Sequence, residues 1–233
     1  AGAIAVATMP LLRARELVYI AGKAEVALAL CDRRLEEDMA KAVAASDHLQ
    51  RVVHFAGDLA SEDELERAMA GKPESFAAAD TAADDVCLIA FTSGTTGQPK
   101  GCMHFHRDVM AINDTFCRHV LRPDETDVFT GSPPIAFTFG LGALVTFPVS
   151  VGAATLLSEQ FTPETTLQAI QDYRVTTLFT APTAFRAMTA LAADYDLSSL
   201  TRCISAGETL PGPVWVGWRK ATGVRIIDGL GST

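Results

Sequence analysis

Basic side chains are in short supply: 19 Lys and Arg stand against 28 Asp and Glu, a formal charge of −9 over 233 residues. A chain with that balance repels phosphate backbones unless its cations are gathered locally, so a nucleic-acid wrapper is excluded. Charged residues are only 20% of the chain and apolar ones 48%, too apolar a mixture for a disordered polymer. No apolar run reaches the ~18 residues of a membrane span, and no basic segment leads into a signal-like apolar one. The five cysteines (Cys31, Cys87, Cys102, Cys117 and Cys203) are odd in number and scattered, with no Cys-x-x-Cys pair and no Cys/His cluster at zinc spacing. They read as buried free thiols in a reducing compartment, which makes a cytoplasmic location the expectation. His104 and His106 flank Phe105 at a spacing that puts both on one side of a strand. As a lone pair they read as ordinary polar residues, and no metal site is expected.

What is present is an alternation. Apolar or β-branched runs at 26–31, 52–56, 86–92, 128–131, 153–157, 177–180, 202–206 and 224–228 predict strands. Helical patterns lie between them at 33–45, 62–70, 106–119, 163–173, 183–193 and 212–221. Thr162 is placed to cap a helix with Pro163 in its first turn. Strands and helices alternating at this spacing predict an α/β fold with largely parallel sheets flanked by helices. The length allows one large domain or two small ones. Residues 72–85, with Pro73, Ser75 and four acidic side chains, read as a surface connection and a possible subdomain seam. The chain opens on the apolar Ala1-Gly2-Ala3-Ile4 and stops at Gly231-Ser232-Thr233 just after an apolar run. Natural termini are usually polar and frayed, so a piece of a longer protein is expected.

One stretch carries chemistry. The strand ending at Phe91 runs into Thr92-Ser93-Gly94-Thr95-Thr96-Gly97-Gln98-Pro99-Lys100-Gly101. Glycines let backbone amides approach a ligand closely. The hydroxyls of Thr92, Ser93, Thr95 and Thr96 add neutral donors, and Lys100 adds a point charge, a set suited to a polyphosphate. It is not a Walker A loop, because that pattern needs Gly-Lys-[Ser/Thr] starting five residues after its first Gly, and Pro99 stands at that point after Gly94. A solvated Ser/Thr/Gly loop is the bland alternative. Nine fixed positions, each at a frequency of about one in fifteen, would recur by chance on the order of once in 10^10 starts.

The string resembles the phosphate-loop signature of the adenylate-forming enzymes, which include acyl-CoA synthetases, luciferases and peptide-synthetase adenylation domains. The likeness runs over essentially the whole chain. Arg13-Ala14-Arg15-Glu16-Leu17 matches a helix segment upstream of the loop in that family. Ser205-Ala206-Gly207-Glu208-Thr209-Leu210-Pro211 looks like its adenine-side loop, and Asp228-Gly229-Leu230-Gly231-Ser232-Thr233 like the start of its nucleotide motif. Leu230 stands where most members stack an aromatic ring on adenine. The aliphatic version, like the wording of residues 131–142 and of His104-Phe105-His106-Arg107-Asp108, looks most like the benzoate-CoA and 2-aminobenzoate-CoA ligases. In Gly131-Ser132-Pro133-Pro134-Ile135-Ala136-Phe137-Thr138-Phe139-Gly140-Leu141-Gly142, prolines lead into ring and apolar side chains and then into glycines, a composition able to line a flat apolar slot. A core strand entering a glycine-tolerant helix would read the same way.

The resemblance implies the N-terminal domain of a ligase that joins an aromatic carboxylate to CoA through an acyl-adenylate, using ATP, Mg²⁺ and CoA. It implies that Thr92, Ser93, Gly94, Thr95, Thr96, Gly97 and Lys100 hold the phosphates. Gly207, Glu208, Asp228, Gly229, Leu230, Gly231, Ser232 and Thr233 frame the AMP, with Lys100 and Thr233 as the catalytic contacts. Phe137, Thr138, Gly142, Pro182 and Thr183 line the acyl pocket. The family's Mg²⁺-binding Glu, ribose-binding Asp and mobile C-terminal domain with its lysine would all follow Thr233, so residues 1–233 alone are expected to be inactive. Three other readings stand beside this one: a ligase for another acid (fatty acid or peptide-synthetase type), a non-catalytic nucleotide-binding module, and a structural α/β domain.

Overall fold

The alternation of apolar runs folds into two α/β units, Ala1–His106 and Arg107–Thr233, in a computed structural model that describes residues 1–57, 61–92 and 97–233.

In the first unit, helix α1 (Ala14–Lys23) starts where two carboxylates satisfy its first amides. Glu16 Oε2 accepts from Arg13 N at 3.1 Å and Asp38 Oδ1 from Ala14 N at 3.2 Å. It buries Ile20 and Ala21. Strands β1 (Leu28–Asp32) and β2 (Arg51–Phe55) pair in parallel, and α2 (Glu36–Ala44) makes the crossover such a pair requires. Asp63 caps α3 (Glu64–Ala70) by accepting from Glu64 N at 2.9 Å, and the Arg33 guanidinium beside it holds its carboxyl down at about 2. Strands β3 (Val86–Thr92) and β4 (Lys100–Phe105) form an antiparallel hairpin, the one departure from parallel pairing among the described strands. Residues 72–85 are exposed throughout and lie inside this unit.

The second unit begins in α4 (His106–Ile112, whose first residue belongs to the first unit). The predicted helix 106–119 holds as α-helix only to Ile112, then widens into a π-type turn over Asn113–Leu121. Five parallel strands follow: β5 (Val128–Gly131), β6 (Ala154–Thr155), β7 (Thr177–Thr180), β8 (Arg202–Ser205) and β9 (Ile226–Asp228), in spatial order β6-β5-β7-β8-β9. The predicted strand 153–157 shrinks to two residues, as an edge strand paired on one side can.

Neighbouring residues on one strand point to opposite faces. Leu178 and Cys203 join a cluster with α7 (Pro163–Tyr173), α8 (Pro182–Thr189) and α9 (Gly212–Thr222); Phe179 and Ile204 join one with the α5–α6 segment (Thr138–Leu141 and Phe147–Val151). Helices therefore cover both faces. At the strands' N-terminal edge, Arg202 Nη1 donates to Asp127 Oδ1 at 2.7 Å and Arg202 Nε to the Leu121 carbonyl at 2.8 Å. Thr176 Oγ1 donates to the same Asp127 oxygen at 2.6 Å. This network ties β5, β7 and β8 together at the end opposite the loops described below.

The expectation of five buried thiols is corrected. Cys31, Cys117 and Cys203 are buried, but Cys87 and Cys102 on the β3–β4 hairpin are half-buried, because two strands offer too little sheet to cover both faces. Burial pushes the Cys203 thiol up to about 12, against a smaller opposing effect from the Trp218 indole N–H. Among the described residues no helix is long and apolar enough to cross a membrane.

Candidate functional site

The connection after β5 runs through α5–α6 to β6 on one side, whereas β7, β8 and β9 follow one another to the other side. The strand order therefore reverses between β5 and β7. At such a switch point the loops leaving the two strands diverge to opposite faces and open a crevice at the strands' carboxyl ends. Four loops lie on that edge, since Gly131 pairs with Phe179, Thr180 with Ser205 and Ser205 with Asp228. They are residues 132–137 after β5, 181 after β7, 206–211 after β8 and 229–233 after β9.

Short hydrogen bonds stitch the edge together. Ser132 N donates to the Phe179 carbonyl at 3.0 Å, and Gly229 N to the Ser205 carbonyl at 2.7 Å. The Ser132 and Thr180 hydroxyls lie 2.6 Å apart, and those of Thr138 and Thr233 3.3 Å apart. Glycine is required where backbones meet. A Cβ on Gly131 would lie 2.5 Å from the Phe179 carbonyl oxygen, and one on Gly140 2.1 Å from the Pro134 oxygen. These contacts let the chain double back so that α5 starts directly against the two prolines. Phe137 stands at the N-terminus of α5 with 46% of its surface exposed, while Phe139 turns into the core against Phe179. Gly142 is buried and faces the Phe147 ring. Pro182 is buried at the first turn of α8 and Thr183 beside it is exposed. Gly207 takes a φ of +87°, a turn conformation that favours glycine, and with Glu208 is exposed after β8. Leu230 is fully exposed, an apolar surface with nothing packed on it.

In the first unit, Thr92 and Lys100 face each other as the last pair of the β3–β4 ladder, so strand pairing closes both ends of the intervening loop. Gly97 has a φ of +94°, and Lys100 is exposed with no ion-pair partner among the described residues. A Cβ on Gly101 would come within 2.9 Å of Ile89 Cγ2, so glycine is what lets β4 lie against Ile89 and Phe91. Tyr19 Oη donates to the Pro99 carbonyl at 2.9 Å. Ser93, Gly94, Thr95 and Thr96 lie outside the described residues.

The residues singled out in the second unit thus gather on one sheet edge: Phe137 and Thr138 after β5, Pro182 and Thr183 after β7, Gly207 and Glu208 after β8, and Asp228 to Thr233 at the end of β9. Sequence reasoning quoted Ser132 and Ser205 inside motifs without giving either a role, and it missed Thr180 and Tyr19; Ser132, Thr180 and Ser205 supply hydroxyls at the same edge. These three carried a signal, a hydroxyl residue closing or following a run that is otherwise apolar. Tyr19 carried none, because its partner is 80 residues away.

The profile of the AMP-binding enzyme family matches residues 1–233. Benzoate–CoA ligase of Thauera aromatica is 32% identical over 236 aligned residues, which cover all of this chain and 44% of that protein. Anthranilate–CoA ligase of Pseudomonas aeruginosa is 33% identical over 148 residues, 63% of this chain and 28% of that one. Among solved structures, the anthranilate CoA ligase AuaEII in complex with anthranoyl-AMP superposes with a TM-score of 0.90 at 32% identity, covering 99% of this chain and 45% of that chain. The chain spans less than half the length of each of these three proteins. By the match along its whole length, it belongs to the AMP-binding enzyme family.

Proposed function

We propose that this chain is part of an ATP-dependent ligase that activates an aromatic carboxylate of the benzoate or 2-aminobenzoate type as its acyl-adenylate and passes the acyl group to CoA. The observation that carries the reading is the gathering of the acyl-side and AMP-side motifs on one edge of the parallel sheet, where Thr138 meets Thr233. The likeness to an anthranilate CoA ligase holding anthranoyl-AMP supports the aromatic class.

A carboxylate is a poor acyl donor because oxide leaves badly. In the first step a carboxylate oxygen bonds to the α-phosphorus of ATP and the bond to the β-phosphate oxygen breaks, releasing pyrophosphate. In the second, the CoA sulfur, having lost its proton, bonds to the acyl carbon, and AMP leaves with the electron pair of the acyl–oxygen bond. Phosphoryl-type transfer depends on positioning and charge neutralisation, so donors and a cation suffice on the protein side. In this reading Thr92, Ser93, Gly94, Thr95, Thr96, Gly97 and Lys100 hold the β- and γ-phosphates, and the Thr233 hydroxyl donates to the α-phosphate. Gly207, Glu208, Asp228, Gly229, Gly231 and Ser232 frame the AMP. Leu230 covers adenine with apolar contact where stacking is absent. Phe137 closes the acyl slot beside Thr138, Gly142, Pro182 and Thr183. Among the described residues no three or more His, Cys, Asp or Glu side chains gather into a cation site. Mg²⁺ at a nucleotide is usually held by one or two carboxylates together with the phosphates, and no step is routed through it here.

Acyl-adenylate formation by the full-length protein that carries this chain, measured with a panel of benzoates and of short and long fatty acids, tests the reading. Benzoate or 2-aminobenzoate is expected to give the highest kcat/KM. A fatty acid ahead of every benzoate refutes the substrate class, and no adenylate from any acid refutes the ligase.

A further inference from the structure

We propose that Tyr19 is a positioning residue for the triphosphate loop, clamping its C-terminal limb so that Lys100 is presented before nucleotide arrives. The inference rests on the ligase reading above.

Lys100 opens β4 and follows Pro99, a residue without an N–H, so the peptide before the proline cannot be pinned through that donor. The Pro99 carbonyl, which belongs to the peptide leading into Lys100, accepts instead from Tyr19 Oη at 2.9 Å. Among the described loop residues 97–99 it is the one anchor outside the β3–β4 ladder. Two residues before that anchor, Gly97 has its φ in the left-handed region, and a Cβ there would meet nothing within 4 Å among the described residues.

The clamp comes from a rigid element. Tyr19 is followed on α1 by the buried pair Ile20 and Ala21. The start of α1 is fixed by Asp38, which accepts from Ala14 N at 3.2 Å and from Arg13 Nη1 at 3.4 Å. Asp38 thus holds α1, α1 holds Tyr19, and Tyr19 holds the peptide next to the lysine. Pre-ordering removes conformational freedom that ATP would otherwise have to freeze, and it lowers the concentration of ATP needed.

The test is Tyr19→Phe in the full-length protein, which deletes the hydroxyl and leaves the ring. The KM for ATP in acyl-adenylate formation is expected to rise about five- to tenfold, the loss of one neutral hydrogen bond. The KM for the carboxylate and the rate of thioester formation from preformed acyl-adenylate should stay unchanged, and the thermal unfolding midpoint should fall by no more than about 4 °C. Tyr173→Phe, which removes an equivalent hydroxyl from an exposed ring, should alter none of these. A KM for ATP within twofold of the parent, or an equal loss in both half-reactions, overturns the clamp and leaves the ligase reading standing. Failure of the unmutated protein to form any adenylate overturns both.

Discussion

Trp218→Ala is expected to lower the stability of the second unit by about 4 kcal/mol, within the range found for emptying a large aromatic site in a core. Trp218 has no exposed surface. Its ring meets Phe185 edge-to-face with centroids 5.0 Å apart, and its indole Nε1 donates to Cys203 Sγ at 3.3 Å. Leu178, Phe185, Met188, Val214 and Ile226 belong to the same cluster, contributed by two strands and two helices. Several elements would have to move together to close the void, so relaxation recovers little of the loss. The substitution also removes the donor facing the Cys203 sulfur, but a thiol is a weak acceptor and cavity formation dominates. Urea unfolding of residues 1–233 followed by far-ultraviolet circular dichroism gives the number. A loss below about 1 kcal/mol, the size of an average point substitution, would mean that Trp218 is not a core residue.

Lys100→Ala in the full-length protein is expected to slow acyl-adenylate formation on the order of 10²-fold, as removal of one donor aimed at developing charge does. Lys100 is exposed and pairs with Thr92 through backbone alone. Loss of its charge therefore costs little in folding, and activity and stability separate cleanly. Thioester formation from preformed acyl-adenylate no longer involves the β- and γ-phosphates, so that half-reaction should run at the parent rate. Equal slowing of both halves would assign Lys100 to general architecture; no slowing of either would remove it from the triphosphate site.

Strands β3, β5 and β7 and helix α7 lie where apolar runs and caps put them. The Thr162 hydroxyl accepts from Thr165 N at 3.2 Å, the cap that Thr-Pro implies. What escaped is non-local. Strand β4, Lys-Gly-Cys-Met-His-Phe, has no clean alternation, and it is a strand because β3 lies beside it. The α5–α6 segment carries Gly140, Gly142 and Pro148, residues that argue against a helix on propensity. Gly140 is there because the Pro134 carbonyl comes too close for any Cβ, so a packing demand overrides the intrinsic preference. The motif residues could be named from the string alone. Their convergence on one edge follows from the order β6-β5-β7-β8-β9, which no local pattern encodes.

The most direct measurement is a crystal structure of the full-length protein with a non-hydrolysable benzoyl-adenylate analogue. The account predicts the aromatic ring against Phe137, between the loops after β5 and β7, with the phosphate within hydrogen-bonding distance of the Thr233 hydroxyl. An analogue bound at the opposite end of the strands, beside Asp127 and Arg202, would contradict it, as would a Phe137–Thr183 edge closed against any ligand.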